Sequence, residues 1–495
     1  MLTTNTILFT VYCLLFTYLA WKNFPWGLYL FFFLLPTYLI RFNIGPLPTT
    51  LLEVMLWIIT IIWLIKYHSH IIYHITHTTK QNKILFIGIA VFLLSATVSI
   101  FTSTDVRSAL GEWKAFYIEP IILFLILITT FNPKNYPPEQ TQLDQKIKRS
   151  KDQFSVRSSD LPIFRSSIIN HIIFALILSG LITSVLAIYQ HFTGWMVPYA
   201  FWQNQNTFRV TAWYGFPNAV GLFLTPLFPL AIYGLKESIK NKSFNLFPTE
   251  YGIPYYIGTI FQSLIKIILY SLFLILSPLA ILYSKGTGPL IGLVAGIGIL
   301  LLFYKKTRWP TVILSLICLS SLFSFSSLSS LKNEVLLQDR SGQIRLSIWN
   351  ETWQFLKDNP ITGAGLASYQ EKIKPYHTTV NGEGIEIFHH PHNIFLTMWI
   401  NLGLLGLASF IGILVSLFLI PCLTGRQAYS LFKKNENIPI IQYFLTASLT
   451  TIIVTGLVDS PYIKNDLSIL FWLLPALLIM NSSKSQSVKS LNKST

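Results

Sequence analysis

The sequence predicts an all-α, polytopic membrane protein, and three observations carry that prediction. Of the 495 residues, 52% are hydrophobic and only 11% charged, against roughly 25% charged in soluble globular chains. Uninterrupted apolar runs of about 17–25 residues, the length a helix needs to cross the hydrocarbon core, recur from end to end. Lysine and arginine gather in the polar segments between those runs, the distribution that sets orientation in a bilayer.

The runs give candidate spans at 6–21, 25–40, 51–67, 84–101, 114–131, 168–190, 214–235, 257–283, 288–304, 310–325, 392–420, 440–457 and 467–480. Lys22 favours an external N-terminus and Arg41 argues against it, so one of the first two runs need not span and the expected total is 12 or 13. Basic clusters between 134 and 165 and near Lys236, Lys305, Arg426 and Lys484 mark one side as cytoplasmic. The expected organisation is N-terminal transmembrane helices (1–131), a cytoplasmic linker (132–167), central helices (168–325), one large external loop (326–391), C-terminal helices (392–480) and a cytoplasmic tail (481–495).

The net charge of +16 is therefore a topology signal. It calls for no nucleic-acid partner, because the basic residues are spread over separate loops and form no single stripe. Cys13, Cys318 and Cys422 lie in or beside apolar runs, which leaves no disulfide framework and no thiolate-metal spacing. The first run lacks a basic n-region and a small-residue cleavage site, so it is expected to be retained.

The external loop carries folding signals. Ile344, Ile348, Trp349, Trp353 and Leu356 recur at helical spacing, and Pro360, Gly363 and Gly365 then end that helix in a turn. An amphipathic helix there is a lid or platform over a membrane mouth, or a purely stabilising element.

The run HHPHNIFLTMWINLGLLGL, starting at His389, leads a histidine-rich loop into an apolar span. It places His392 in the first turn of a membrane helix, with Gly403 and Gly406 further along. The positive end of the helix dipole disfavours a protonated imidazole there, leaving a base at the membrane surface. Arg209, Lys285 and Arg345 stand at external span ends or on the loop helix, with Arg340 nearby, and Asp459 and Lys464 lie between the last two spans. Arginine binds phosphate oxygens bidentately and lysine adds a point charge. If these cations converge on the base, they form a receptor for a lipid-linked diphosphate; taken singly, each reads as an interfacial anchor.

Two other histidine groups have alternative readings. His389, His390 and His392, with His377, Glu383 and Glu386, offer a transition-metal set. His68, His70, His74 and His77 read as an amphipathic interfacial turn. Trp195, Tyr199, Phe201 and Trp202 suit an aromatic belt or a surface for stacking sugar rings.

With these residues in view, the chain resembles the O-antigen ligase/O-antigen polymerase family of bacterial integral-membrane glycosyltransferases. The family signature is His, then Asn, Ser or Gln, nine residues, Gly, two residues, and Gly, Thr or Tyr. His392, Asn393, Gly403 and Gly406 match it completely. Arg345 and Trp349 followed by DNPITGAGLASYQ look like the family's Arg-x-x-x-Trp helix and Pro-x-x-Gly-x-Gly turn, and TFRVTAWYGFPNAVG is similar to its Arg…Gly-Phe-x-Asn segment at Arg209, Gly215 and Asn218. Asp459 stands where the family tends to keep an acid. Two departures are Lys285, where the family usually has Arg, and Asn401, where many members carry Glu.

The resemblance implies a GT-C-like, multi-pass enzyme of the bacterial cytoplasmic (inner) membrane that uses no metal or other cofactor. It would move a glycan from an undecaprenyl-diphosphate carrier to a lipid or protein acceptor on the external face. His392 would deprotonate the acceptor and invert the anomeric centre, with Arg345 and Lys285 in the catalytic set. Arg209, Arg340, Trp349, Asn393 and Asp459 would bind substrate, Arg209 helping to stabilise the departing diphosphate. Alternatives are a polymerase joining lipid-linked repeat units and a non-enzymatic exporter.

Overall fold

The computed structural model describes residues 4–45, 47–131, 161–203, 208–244, 253–380, 383–384, 386–423 and 439–482. The expected linker up to residue 160, the basic group from Arg426 to Lys434 and the tail beyond 482 lie outside the described residues.

Every predicted apolar run contains a helix. The N-terminal group is α1 (Thr4–Lys22), α2 (Phe24–Phe33), α3 (Leu51–Gln81), α4 (Lys83–Phe101) and α5 (Val106–Thr130), the last with a π turn at Trp113–Ile118. The central group is α6 (Leu161–Thr193), α7 (Pro217–Phe244), α8 (Ile253–Tyr283), α9 (Thr287–Phe303) and α10 (Lys305–Ser324). After the non-membrane helix α11 (Arg340–Asp358) come α12 (Ile394–Leu423), α13 (Ile441–Thr455) and α14 (Asn465–Ser482). Among the described residues, eight helices are long and apolar enough to cross a membrane and five more are apolar but shorter. The protein is an all-α, multi-pass membrane protein.

The run 25–40 is not one span. Helix α2 stops at Phe33 after 10 residues, about 15 Å of rise and half the hydrocarbon thickness. Pro36, in the 3-10 turn Leu35–Leu39 that follows, locks φ and has no N–H to continue the ladder. A hairpin of Arg41–Ile44 against Leu47–Thr50 then feeds α3, whose start is fixed by a capping box between Thr50 and Glu53. His68, His70, His74 and His77 lie on this 31-residue helix, not in a separate turn.

Small residues let α9 and α13 approach closely. Gly288, Gly292 and Gly296 lie along the α13 side of α9, and a Cβ at Gly292 would come within 2.0 Å of Thr455 Oγ1. This is the small-xxx-small device of helix packing in lipid, where hydrophobicity supplies no drive between helices. Beneath the site loops, Phe92, Tyr117, Phe410, Tyr462 and Trp472 form a buried aromatic core. Trp472 Nε1 donates to Tyr462 Oη (2.9 Å), which donates to the Phe116 carbonyl (2.8 Å). These bonds pin the short α13–α14 connection to the bundle.

The described residues between 326 and 391 fold as a cap with its own core of Ile348, Phe355, Leu356, Ala364, Tyr369 and Ile373, completed by Ile400 from α12. The amphipathic helix expected through Ile344, Ile348, Trp349, Trp353 and Leu356 is α11. The expectation of an unbroken helix through 392–420 is corrected: at Gly403 the backbone turns to φ 71°, ψ −177°. The cap's 361–365 turn enters that break. Ala364 N–H donates to the Ile400 carbonyl (2.6 Å), and Leu404 N–H donates to the Ile361 carbonyl (3.1 Å). A Cβ on Gly403 would lie 2.0 Å from Ile361 O, so only glycine serves there. Further along, Ser103 Oγ donates to the Leu366 carbonyl (2.8 Å) and Lys372 Nζ to the Thr102 carbonyl (2.7 Å), fastening the cap to the end of α4.

Candidate active site

The cap end of the bundle brings three loops together: 208–216 before α7, 284–286 between α8 and α9, and 456–464 between α13 and α14. The His389–Asn393 turn joins them. His392 lies two residues before α12, not in its first turn. Its φ of +49° is in the left-handed region, which costs a non-glycine residue about 1–3 kcal/mol and persists only where surroundings enforce it. Two restraints do so. Asn393 Oδ1 caps α12 by accepting from Phe395 N (3.0 Å) and Leu396 N (3.1 Å), while its Nδ2 donates to the Leu457 carbonyl (2.9 Å). Trp349 Nε1, from α11, donates to the Pro391 carbonyl (2.9 Å).

His392 Nδ1 faces Asp459 Oδ1 at 3.3 Å. With the proton on Nδ1 and shared with the carboxylate, Nε2 carries a lone pair. Asp459 is buried and otherwise satisfied: Ser460 N donates to Oδ1 (2.8 Å) and Asn218 Nδ2 to Oδ2 (2.9 Å). Asn218 Oδ1 in turn accepts from Arg209 Nη2 (2.8 Å). Arg209 is fixed from the other side, with Nε donating to the Ser284 carbonyl (2.8 Å) and Nη2 to the Lys285 carbonyl (3.2 Å). A continuous hydrogen-bonded path thus runs from the imidazole through a carboxylate and an amide to a guanidinium.

Arg345 approaches from the cap. Its Nε donates to the Val458 carbonyl (2.9 Å) and its Nη1 to Ser341 Oγ (2.7 Å). Helix α11 therefore grips the residue before Asp459 with Arg345 and the residue before His392 with Trp349, one turn apart. His392, Asp459, Asn393, Arg209, Arg345 and Trp349 are brought together. Lys285 joins through its backbone, at φ +50°, with an exposed side chain. Arg340 opens α11 and is also exposed.

The charges are coupled. Burial pushes the Asp459 carboxyl up, but the hydrogen bond from His392, the neighbouring imidazoles and the Arg345 guanidinium outweigh it, leaving Asp459 below the usual carboxylate range. Burial, with Arg345 nearby, lowers Arg209 to about 10 against the opposing pull of Asp459, so it stays cationic at neutral pH. Burial and the adjacent His392 push His390 down to about 3, which keeps it neutral. Lys464 is lowered by burial and sits over the Phe216 ring (5.7 Å), which meets Tyr199 and Trp202 edge-on or tilted. The Phe201 side chain lies outside the described residues.

The metal set offered by the sequence is regrouped. His377 Nδ1 turns to Glu351 Oε2 (3.2 Å) inside the cap, whereas ligand atoms of His390, His392 and Asp459 all lie within 4.8 Å of one another. Sequence reading singled out Asn218 only as a motif position and missed it as the joint between acid and arginine. The carbonyls of Ser284, Lys285, Pro391 and Val458 were beyond it altogether, since main-chain acceptors leave no mark on residue identity. For Asn218 the one available signal was a polar side chain directly after Pro217 at the start of an apolar run.

Residues 272–411 match the family model described as O-antigen ligase. A search of the curated proteins found no match. The matched segment contains Lys285, Arg345 and His392; Arg209, Asn218 and Asp459 lie outside it.

Proposed function

We propose that this membrane protein of the O-antigen ligase family transfers a glycan from an undecaprenyl-diphosphate carrier to an acceptor hydroxyl at the external face of the bacterial inner membrane. The observation that carries this reading is the hydrogen-bonded path His392–Asp459–Asn218–Arg209, with Arg345 beside it. It sets a base and two cations around one point at the cap end of the bundle.

The acceptor oxygen attacks the anomeric carbon as its proton passes to His392 Nε2. The bond between that carbon and the diphosphate oxygen breaks on the opposite face, so configuration inverts and undecaprenyl diphosphate leaves. Asp459 orients the imidazole and balances its charge once protonated. Arg209 and Arg345, each with backbone-anchored donors, stand where negative charge grows on the diphosphate, and Lys285 adds a point charge at the rim. The cations come from the chain itself, which supports a metal-independent mechanism. Trp349 and Asn393 set the His392 turn, and Arg340 offers a further cation to the carrier.

The test uses protein in lipid nanodiscs with a lipid-linked glycan donor and an acceptor lipid. His392→Ala should slow release of undecaprenyl diphosphate by about 10²–10⁴-fold, the usual contribution of a positioned base, and transfer should survive EDTA. Undiminished donor turnover in His392→Ala would instead mark a non-enzymatic exporter. Product analysis separates a ligase from a polymerase, since only the latter yields lengthened donor.

A further inference from the structure

The transferase reading makes no use of His390, yet that ring lies against His392 with centroids 4.7 Å apart. With Asp459, the two histidines bring three ligand atoms within 4.8 Å of one another. The His392 Nδ1 to Asp459 Oδ1 separation is 3.3 Å, about the edge of a tetrahedron built on metal bonds of roughly 2.0–2.1 Å. Two imidazoles and a carboxylate form a borderline donor set that suits zinc and its neighbours, whereas magnesium and calcium prefer oxygen alone. Three protein ligands leave a fourth tetrahedral position open to water.

The surroundings fit a ligand set. Asn218 and the Ser460 amide fix both oxygens of Asp459, the outer-shell support that orients a metal-binding carboxylate. His390 Nδ1 has a long contact, 3.3 Å, with the His392 amide, which a metal–nitrogen bond replaces at small cost. The nearby charges of Arg345 and Lys464 weaken the hold on a dication. Occupancy therefore follows the concentration of the ion instead of being permanent.

We propose that His390, His392 and Asp459 form a reversible site for a zinc-class divalent ion, and that filling it switches the transferase off. The switch rests on the reading of His392 as the base. Once one ring nitrogen is bound to metal, the other carries the proton, so no lone pair remains to accept one from the acceptor.

Cobalt(II) is the probe, titrated into tag-free full-length protein in nanodiscs, because tetrahedral cobalt has strong visible bands that need no turnover to read. One ion per chain should bind and be displaced by zinc, and His390→Ala should weaken binding by at least about 10–100-fold, the range that even outer-shell losses produce. Zinc should inhibit transfer over the concentrations that displace cobalt, while His390→Ala keeps its basal rate and resists. Absence of the bands, or bands that persist unchanged in His390→Ala, would overturn the site. Binding without inhibition would overturn the switch. Tetrahedral binding in a protein that never turns over donor would leave the site standing and sink the transferase reading.

Discussion

The base half of the site, His392 with Asp459, has its backbone clamped by three neighbouring side chains, two from α11 and one from the turn before α12, whereas in the cation half the Arg209 guanidinium itself rests on the carbonyls of the 284–286 hairpin. Trp349, Asn393 and Arg345 each secure a backbone carbonyl beside His392 or Asp459. Arg209 rests on the carbonyls of Ser284 and Lys285. Under the proposed transfer, the difference follows from what each half would do. A proton moves only when lone pair and donor are aligned to within a fraction of an ångström, whereas a cation stabilises charge across a wider range of positions. Asn218 joins the two halves, so changes on either side of it should separate their effects.

The largest effect expected from breaking the base half while sparing the cation half is that of Asp459→Asn. Its amide still fills the space and can still meet Asn218, but it no longer fixes the imidazole tautomer or balances its charge. Transfer kcat should fall by about 10²–10⁴-fold with the KM for donor little changed. A kcat within a few-fold of the original would show that the 3.3 Å contact to His392 has no part in the reaction.

Next in size is Trp349→Phe, which keeps most of the ring and removes only the N–H held by Pro391. If α11 positions the base, kcat should drop by roughly tenfold or more, since displacement by about 1 Å can cost up to 10²-fold, and donor KM should stay level. A rise in KM with unchanged kcat would place Trp349 against the donor instead.

How much of the molecule is legible in the sequence differs between the two halves for the same physical reason. The all-α membrane fold is readable because an apolar run of bilayer-crossing length is rarely found outside a membrane helix. The His392 motif and the α11 helix are readable because their spacing is local. The break at Gly403 is not, for a single glycine in an apolar run is compatible with a straight helix. Only the approach of the Ile361 carbonyl from the cap, some forty residues earlier in the chain, makes it a joint. Likewise, the pairing of His392 with Asp459 spans 67 positions, and no periodicity reports such a contact. Pro36 gives a clear local reason to stop α2, yet the apolar character of 25–40 conceals it.

The smallest effect should come from Lys285→Arg, which sharpens the comparison from the cation side. Lys285 lends Arg209 its carbonyl, while its own side chain is exposed. Arginine keeps the charge and adds the planar fork that grips two phosphate oxygens at once. Because an exposed charge is largely screened by solvent, kcat/KM should change by no more than about fivefold, in the direction of improvement. Lys285→Gln should lower it over a similar range, mainly through donor KM and more steeply at low ionic strength. An unchanged kcat/KM in Lys285→Gln would show that the hairpin serves Arg209 through its left-handed backbone alone and that only two cations meet the diphosphate, whereas a severe loss in Lys285→Arg would argue against a grip on phosphate by this side chain.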